Sequence, residues 1–438
     1  MKGFIDTLRN IWKIEELKNR ILTTLGLILI FRIGCYVVLP GVDSEALENA
    51  TAAGGGGGLS GLLDMFTGGA FSRASIFSLG IMPYISASII MQLAGVAVPT
   101  IQKLQKEGES GRNKINQWTR ILTIIITSMQ APGYLAAYVD PTARPEGFMW
   151  MLTATVILVT GTMFVMWLGE RITDKGIGNG ISLLIMIGII ADLPRAFIQE
   201  LVSRLDAGGM VILLVEMVLL LLVILVTILL VQGTRRIPVN FAKRVVGNKQ
   251  YGGARQFIPL KVNAAGVMPI IFAQAIMFVP MYFGSYFDSA VLTSLADFGG
   301  FWYNLIFGIL VVLFTYFYTA IMVNPTQMAD EMKRNGGFIP GVKPGKKTAE
   351  FIDSLLSRIT LPGSIFLAII AILPAFAMQF GVKESFAIFF GGTSLLIMVG
   401  VVLDTLQQIE SHLLSRHYDG LMKTGKIKGR GSTLGMTG

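Results

Sequence analysis

Long apolar runs separated by polar connections recur ten times along this 438-residue chain. They fall near Ile21 to Val38, Ile76 to Val98, Ile121 to Val139, Gly147 to Leu168, Ile181 to Ile198, Val211 to Val231, Ala265 to Phe283, Phe301 to Val323, Leu361 to Phe380 and Phe386 to Leu406. Most approach the roughly 20 residues that a helix needs to cross about 30 Å of hydrocarbon. The pattern therefore predicts an all-α polytopic membrane protein with ten transmembrane helices. A soluble protein with ten buried helices is a poor alternative when 53% of the residues are hydrophobic and only 14% charged.

Charge then orients the spans. The N-terminal segment, every second connection and the tail together hold 30 of the 36 Lys and Arg residues. The opposite loops hold Arg73, Arg144, Arg195, Arg204 and Lys383, and Arg32 lies within the first span. Basic residues stay cytoplasmic, so both termini are expected in the cytoplasm and the number of crossings is even. The formal net charge of +9 also predicts attraction to anionic membrane lipids. The single cysteine, Cys35, excludes an intramolecular disulfide and a Cys-based zinc site, and within a span it is expected to pack inertly. The first apolar run is longer than a usual signal core, and no small-residue cleavage site follows, so the first span is expected to remain.

Two of the basic connections are longer than topology needs. Gln232 to Asn263 carries Arg235, Arg236, Lys243, Arg244, Lys249, Arg255 and Lys261, with turn chemistry at Tyr251-Gly252-Gly253. Asn324 to Thr360 carries the Gly/Pro-punctuated stretch Gly336 to Gly345, which is expected to form a defined protruding turn. Both read as docking arms for an acidic protein surface or RNA phosphates.

On the outer side, five glycines at 54–58 precede Leu59-Ser60-Gly61-Leu62-Leu63-Asp64-Met65-Phe66, an apolar segment too short to cross. It is expected to be re-entrant or interfacial. Irregular backbone at membrane depth survives only where protein or a water-filled cavity satisfies it, so the segment points to a cavity with a movable occupant. The second span, from Gly80-Ile81-Met82-Pro83, and the seventh, from Gly266-Val267-Met268-Pro269, open alike and combine apolar bulk with polar groups. They occupy equivalent places if the chain is two halves of five spans. An odd number of crossings forces such halves into opposite orientations.

The strings GGAFSRASIFSLGIMPYISASIIMQL (68–93), KEGESGRNKINQWTR (106–120), TDKGIGNGIS (173–182), RRIPVNFAKR (235–244), LKVNAAGVMP (260–269), GGFIPGVKPGKKT (336–348) and FGGTSLLIMVGVVLDT (390–405) together resemble the SecY/Sec61-alpha family of protein-conducting channel subunits. The resemblance runs through nearly the whole chain in order. It implies two inverted five-helix halves, 21–200 and 201–407, around a central pore, flanked by a cytoplasmic N-terminus at 1–20 and a tail at 408–438. It implies a lateral opening between spans two and three on one side and seven and eight on the other, with a short re-entrant plug helix at about 59–69.

Residue by residue, the resemblance implies a pore ring of Ile81, Ile85, Ile185, Ile271 and Ile397 with Ile181 beside it, and a plug carrying Leu59, Leu62, Leu63, Met65 and Phe66. It implies a lateral gate lined by Ser86, Ser88, Gln92 and Asn263, and partner docking by Arg235, Arg236, Lys243, Arg244 and Lys343. Many members carry arginine where Lys343 stands; lysine keeps the charge but loses the planar fork. The implied activity is passive conduction of unfolded polypeptides across, or sideways into, a bacterial cytoplasmic (inner) membrane. The implied partners are the SecE and SecG membrane subunits, the SecA motor ATPase, the ribosome with its nascent chain, and signal peptides and preproteins. No catalytic residue, cofactor or metal is implied, and with no GxxxxGK[ST] phosphate loop the energy is expected from outside.

Two other function classes were weighed against this one. A small-solute transporter shares inverted repeats and broken helices but needs coupled ionisable groups at mid-membrane. Arg32 and Glu216 are the main candidates in the spans. Arg32, near an outer end, is expected to snorkel or meet a loop acid, and Glu216 to meet a partner helix or the outer vestibule. An intramembrane enzyme needs a nucleophile, base or metal set, yet His412 and His417 both follow the last span and no HExxH occurs.

Overall fold

The computed structural model describes residues 14–47, 59–145, 147–206, 209–241, 244–246, 249–251, 255–284 and 299–424. Each of the ten expected runs coincides with a helix. In chain order the main helices are α1 (Glu15–Gly34), α2 (Leu59–Thr67), α3 (Met82–Ala97), α4 (Pro99–Lys106), α5 (Glu109–Ala137), α6 (Phe148–Lys175), α7 (Gly180–Asp206) and α8 (Met210–Gln232). The second part contributes α9 (Met268–Gly284), α10 (Phe301–Met322), α11 (Pro325–Arg334), α12 (Lys346–Gln379), α13 (Glu384–Ala387) and α14 (Gly392–Thr424).

Six of the described helices are long and apolar enough to cross a membrane by themselves, and a seventh span arises if α3 and α4, bent by 103°, count as one. The others fall short for separate reasons. Lys18, Arg20 and Arg32 load α1 with charge, polar residues dilute α5, and the described part of α9 has 17 residues. Helices α5, α12 and α14 extend well beyond their apolar runs, because helical hydrogen bonding continues where the sequence turns polar and hydropathy marks only the part in lipid. Helix α8 exposes Val211, Leu214, Val218, Leu221, Leu225 and Leu229, a surface that water would not tolerate and lipid solvates.

The second expected span starts late. Residues 76–81 form turns, and helix begins only at Met82. This buried, irregular backbone is satisfied locally: Leu39 N–H donates to Ala74 O at 2.9 Å and Ile76 N–H to Val37 O at 2.9 Å. Ser78 Oγ donates to Ala70 O at 3.1 Å, and the Phe77 amide donates to Ser75 Oγ at 3.1 Å. The serines that dilute this run thus replace the missing ladder. Gly80 and Gly266 both take positive φ, +52° and +63°, immediately before Met-Pro starts α3 and α9. Only glycine makes that turn without strain, and proline suits the first helical turn, so the same four-residue pattern builds the same entry twice.

The first basic arm is β structure, which the all-helical expectation did not include. Strands β1 (Thr234–Phe241) and β4 (Arg255–Lys261) pair antiparallel, from Thr234 opposite Lys261 to Asn240 opposite Arg255. A short pair, β2 (Arg244–Val246) and β3 (Lys249–Tyr251), lies farther along the arm, while the glycines at 252–253 lie outside the described residues. Strand β5 (Gly337–Phe338), from the second arm, adds to β1 at Asn240 and Phe241, giving the order β4-β1-β5. The arms therefore form one module. Its core is Ile237, Val239, Leu260, Met332, Ile339 and Ile352, with Ile237 and Val239 in strand alternation.

Candidate functional site

Five of the six isoleucines assigned to the ring meet in one apolar cluster. Ile81 caps α3, Ile185 lies one turn after Ile181 on α7, and Ile397 sits on α14; Ile81, Ile185 and Ile397 are buried together, and Ile85 and Ile181 pack against them. Ile271 packs instead in a neighbouring cluster, which it shares with Ile85. Sequence positions far apart are thus brought to one place by the entries of α3, α7 and α14.

The segment expected to be the plug shares this cluster. On α2, Met65 is 5% exposed and belongs to the same core, with Phe66 packed against it. Leu59, Leu62 and Leu63 lie on α2 with side chains outside the described residues, and the pentaglycine lies outside them altogether. The C-terminal end of α2 is tied down: Asp64 accepts from the Ser72 amide at 2.8 Å and from Ser72 Oγ at 3.0 Å, and the Phe71 amide donates to Thr67 Oγ1 at 3.1 Å. Gly188 on α7 lets the backbone at the end of α2 approach closely, since a Cβ there would stand 2.7 Å from Phe66 O. Arg32 meets this end too. It donates to Gly68 O at 3.0 Å, so its partner is a backbone carbonyl and not the loop acid expected as one alternative.

Beside the ring, α3 faces α9 and α10 along a mainly apolar seam. Ile85, Ile89 and Leu93 pack against Ala265, Met268, Phe272, Phe314 and Tyr318. Phe272 stacks on Phe314 with centroids 5.6 Å apart and tilts against Tyr318 at 5.4 Å. One polar tie crosses it: the Tyr318 hydroxyl donates to Gln92 Oε1, while Gln92 Nε2 donates to Ser88 Oγ at 3.2 Å. Ser86 turns back to Met82 O at 3.2 Å, and Asn263 donates to Gly266 O at 3.1 Å, leaving its buried Oδ1 without a partner. Tyr318 was not among the residues read from the sequence. Its signal was a phenol one turn after Phe314, but Tyr303 and Tyr316 in the same run offered the same signal, so nothing in the sequence singled it out. At the arm end of the seam lies a cleft of about 930 Å³ lined by Val96, Gln102, Lys261, Ile321, Gln327 and Glu331.

Of the residues expected to dock partners, Arg235 and Arg236 are exposed on β1, where strand alternation sends them to opposite faces, and Lys343 is exposed in the turn before α12. Gly341 and Gly345 hold positive φ in that turn, and Thr348 Oγ1 donates to Lys343 O at 2.9 Å. Lys243 lies outside the described residues, and Arg244 opens β2 with its side chain likewise outside them.

Two polar constellations were not anticipated. The glycine loop of TDKGIGNGIS ties the first span to the last. Arg20 donates to Gly176 O at 3.3 Å, the Ile177 amide to Thr24 Oγ1 at 3.1 Å, and the Gly178 amide to Gln408 Oε1 at 2.8 Å. At the opposite end of α7, Arg204 bonds Glu200 at 2.8 Å, Glu216 at 2.5 Å and Gly381 O at 2.7 Å, while the Lys383 amide donates to Glu200 at 3.0 Å. Glu216 is therefore a structural ion-pair member whose counter-charge comes from Arg204. Among the described residues no group of three or more metal-ligating side chains converges.

Comparison with known proteins places this architecture. The SecY family model matches residues 75–406. The protein translocase subunit SecY of Thermotoga maritima is 41% identical, covering 96% of this chain and 99% of its own. That of Escherichia coli strain K12 is also 41% identical, covering 95% of this chain and 96% of its own. Two solved structures share the fold at 16% identity, each covering 93% of this chain and 95% of theirs. One, described as the structure of a protein conducting channel, has a TM-score of 0.62; the other, Sec61 in the canine ribosome-channel complex from the endoplasmic reticulum, has a TM-score of 0.59. With a family model spanning most of the chain and relatives similar from end to end, this multi-pass membrane protein belongs to the SecY family.

Proposed function

We propose that the chain is the channel subunit through which unfolded polypeptides cross a bacterial cytoplasmic membrane or leave sideways into lipid. The observation that carries this reading is the single hydrophobic cluster that Ile81, Ile85, Ile181, Ile185 and Ile397 share with Met65, a side chain of the proposed plug. Flexible aliphatic side chains hold back ions by keeping water out, yet part around an extended chain without selecting its sequence. Ile271, packed next to Ile85, completes the ring when the seam moves. In this reading Leu59, Leu62, Leu63, Met65 and Phe66 form the plug, and the seam is the lateral exit. Ser86, Ser88, Gln92 and Asn263, with Tyr318, set how readily the seam parts. The two halves, 21–200 and 201–407, separate along it. No step makes or breaks a covalent bond, so SecA or the ribosome supplies the drive, and SecE and SecG are the membrane partners. Both termini lie in the cytoplasm, on the side of the basic arms.

The joined arm module is the docking platform. If its basic residues served topology alone, the 30 basic residues on that side against five in the outer loops would absorb a single reversal. We expect Arg236→Glu and Lys343→Glu to leave span orientation unchanged while weakening binding of ribosomes or of SecA to reconstituted vesicles by roughly tenfold, because like charge then faces an acidic or phosphate surface. Lys343→Arg should leave motor-driven transport unchanged or improve it by restoring a planar fork. Parental binding of both partners by both reversal variants, with topology checked by protease mapping, would assign these charges to lipid electrostatics alone.

A further inference from the structure

We propose that Arg32 is a positioning residue that latches the plug shut, an inference that rests on the plug reading of α2. Its guanidinium lies where α1 ends and donates to the carbonyl of Gly68, 3.0 Å away, just past the last turn of α2. Carbonyls at a helix C-terminus lack intrahelical partners and carry the negative end of the dipole, so a guanidinium there satisfies an acceptor and complements its charge. Such a charge-assisted bond is stronger than a neutral one.

The backbone around it is built for the contact. Gly68 and Gly69 hold φ of +66° and +83°. A Cβ on Gly68 would lie 2.4 Å from Arg32 Nη1 and 3.0 Å from Gly188 Cα, so the space a side chain needs is already filled by the latch and by α7. Arg73 flanks the other glycine, 3.1 Å from where its Cβ would stand, and both arginines lie over the ring of Tyr36, Arg73 at 4.5 Å and Arg32 at 5.6 Å. Arg73 Nη1 is buried without a partner, so Arg73 does not duplicate the bond that Arg32 makes. Cys35, one helical end from the plug, adds only a long thiol contact of 3.6 Å to Thr67 O. The pivot is therefore Gly68–Gly69, and Arg32 is the side chain that decides whether α2 stays against α7.

The test uses the full chain in vesicles with Cys35→Ser and Met65→Cys, labelled from the outside by an impermeant maleimide at rest. Arg32→Leu should raise the resting labelling rate and ion leak by roughly tenfold, the loss expected for a charged hydrogen bond. Arg32→Lys, which keeps a donor, should restore part of it. Gly68→Ala evicts the guanidinium without removing it and should give the same phenotype, non-additively with Arg32→Leu; this arm serves if Arg32→Leu does not accumulate. Replacing residues 59–67 with a Gly/Ser linker separates the two ideas. The linker chain should leak, and Arg32→Leu should then add nothing. A linker chain that stays tight overturns the plug reading and the latch with it. A leaking linker chain, with parental labelling and leak in both Arg32→Leu and Gly68→Ala, overturns the latch alone. A further rise on adding Arg32→Leu to the linker chain also overturns it.

Discussion

Arg204→Met is expected to be the most damaging single substitution in the described structure. Arg204 bonds two carboxylates, Glu200 and Glu216, that are 0% and 5% exposed, and it joins the C-terminal end of α7 to the loop at Gly381. Methionine fills similar volume but strands both carboxylates in a low-dielectric site. Removing one partner of a buried pair costs about 3–5 kcal/mol, a large share of the roughly 5–15 kcal/mol that holds a folded protein together. The variant should accumulate poorly and unfold at a clearly lower temperature in detergent. Glu216→Gln should be mild, because one Glu216 oxygen already lacks a partner while Arg204 keeps Glu200. Parental melting of Arg204→Met would show that the network contributes no net stability.

The second large effect is on permeability. Ile85→Asn combined with Ile397→Asn places two amides in a cluster whose other members are hydrophobic. Burying an isoleucine side chain is worth about 1.5–3 kcal/mol, so two replacements lower the barrier to water enough for ion permeability to rise on the order of a hundredfold. Planar-bilayer conductance of the purified chain measures this directly. Signal-sequence stringency should relax in parallel, since a hydrated ring no longer needs an apolar segment to part it. Unchanged conductance with normal expression would remove these residues from the barrier.

Hydropathy marked a helix at each of the ten runs because burial in lipid demands uninterrupted apolar length, a local demand that six of the described helices, or seven with the bent pair, meet in full. It misplaced the ends for the same reason: helix continues into polar sequence on α12 and α14, whereas in the second run the ladder is replaced by Ser75 and Ser78 side-chain bonds before Met82. The β arms were legible only in part. Ile237 and Val239 alternate as a strand should, but three residues of alternation inside a basic stretch are outweighed by Gly and charge. That β5 would join β1 depends on contacts across about a hundred residues, which no local pattern encodes.

The same division holds for the site. Motif resemblance suggested the ring and plug residues: Ile81, Ile85, Ile181 and Ile397 lie within the recognisable strings, whereas Ile185, Ile271 and the plug residues at 59–66 lie just outside them and were assigned by their place in the family's order. It did not suggest the contacts that hold them. Arg32 on Gly68 O, Tyr318 on Gln92, Gly178 on Gln408 and Arg204 on Gly381 O each join elements distant in sequence, one end often a backbone atom. Glu216 was visible as an ionisable residue in a span, but its meaning came from Arg204, which charge counting had treated only as an outer-loop cation.

The central claim is that an extended polypeptide passes through the isoleucine ring. The most direct measurement stalls a preprotein bearing one cysteine midway across vesicles containing the Cys35→Ser chain with Ile397→Cys, then forms disulfides. Leu225→Cys, 54% exposed on α8, serves as the lipid-facing control. The account predicts a cross-link at position 397 only while the chain is stalled, and none at position 225. A stalled, protease-protected chain that never cross-links at 397 would contradict it.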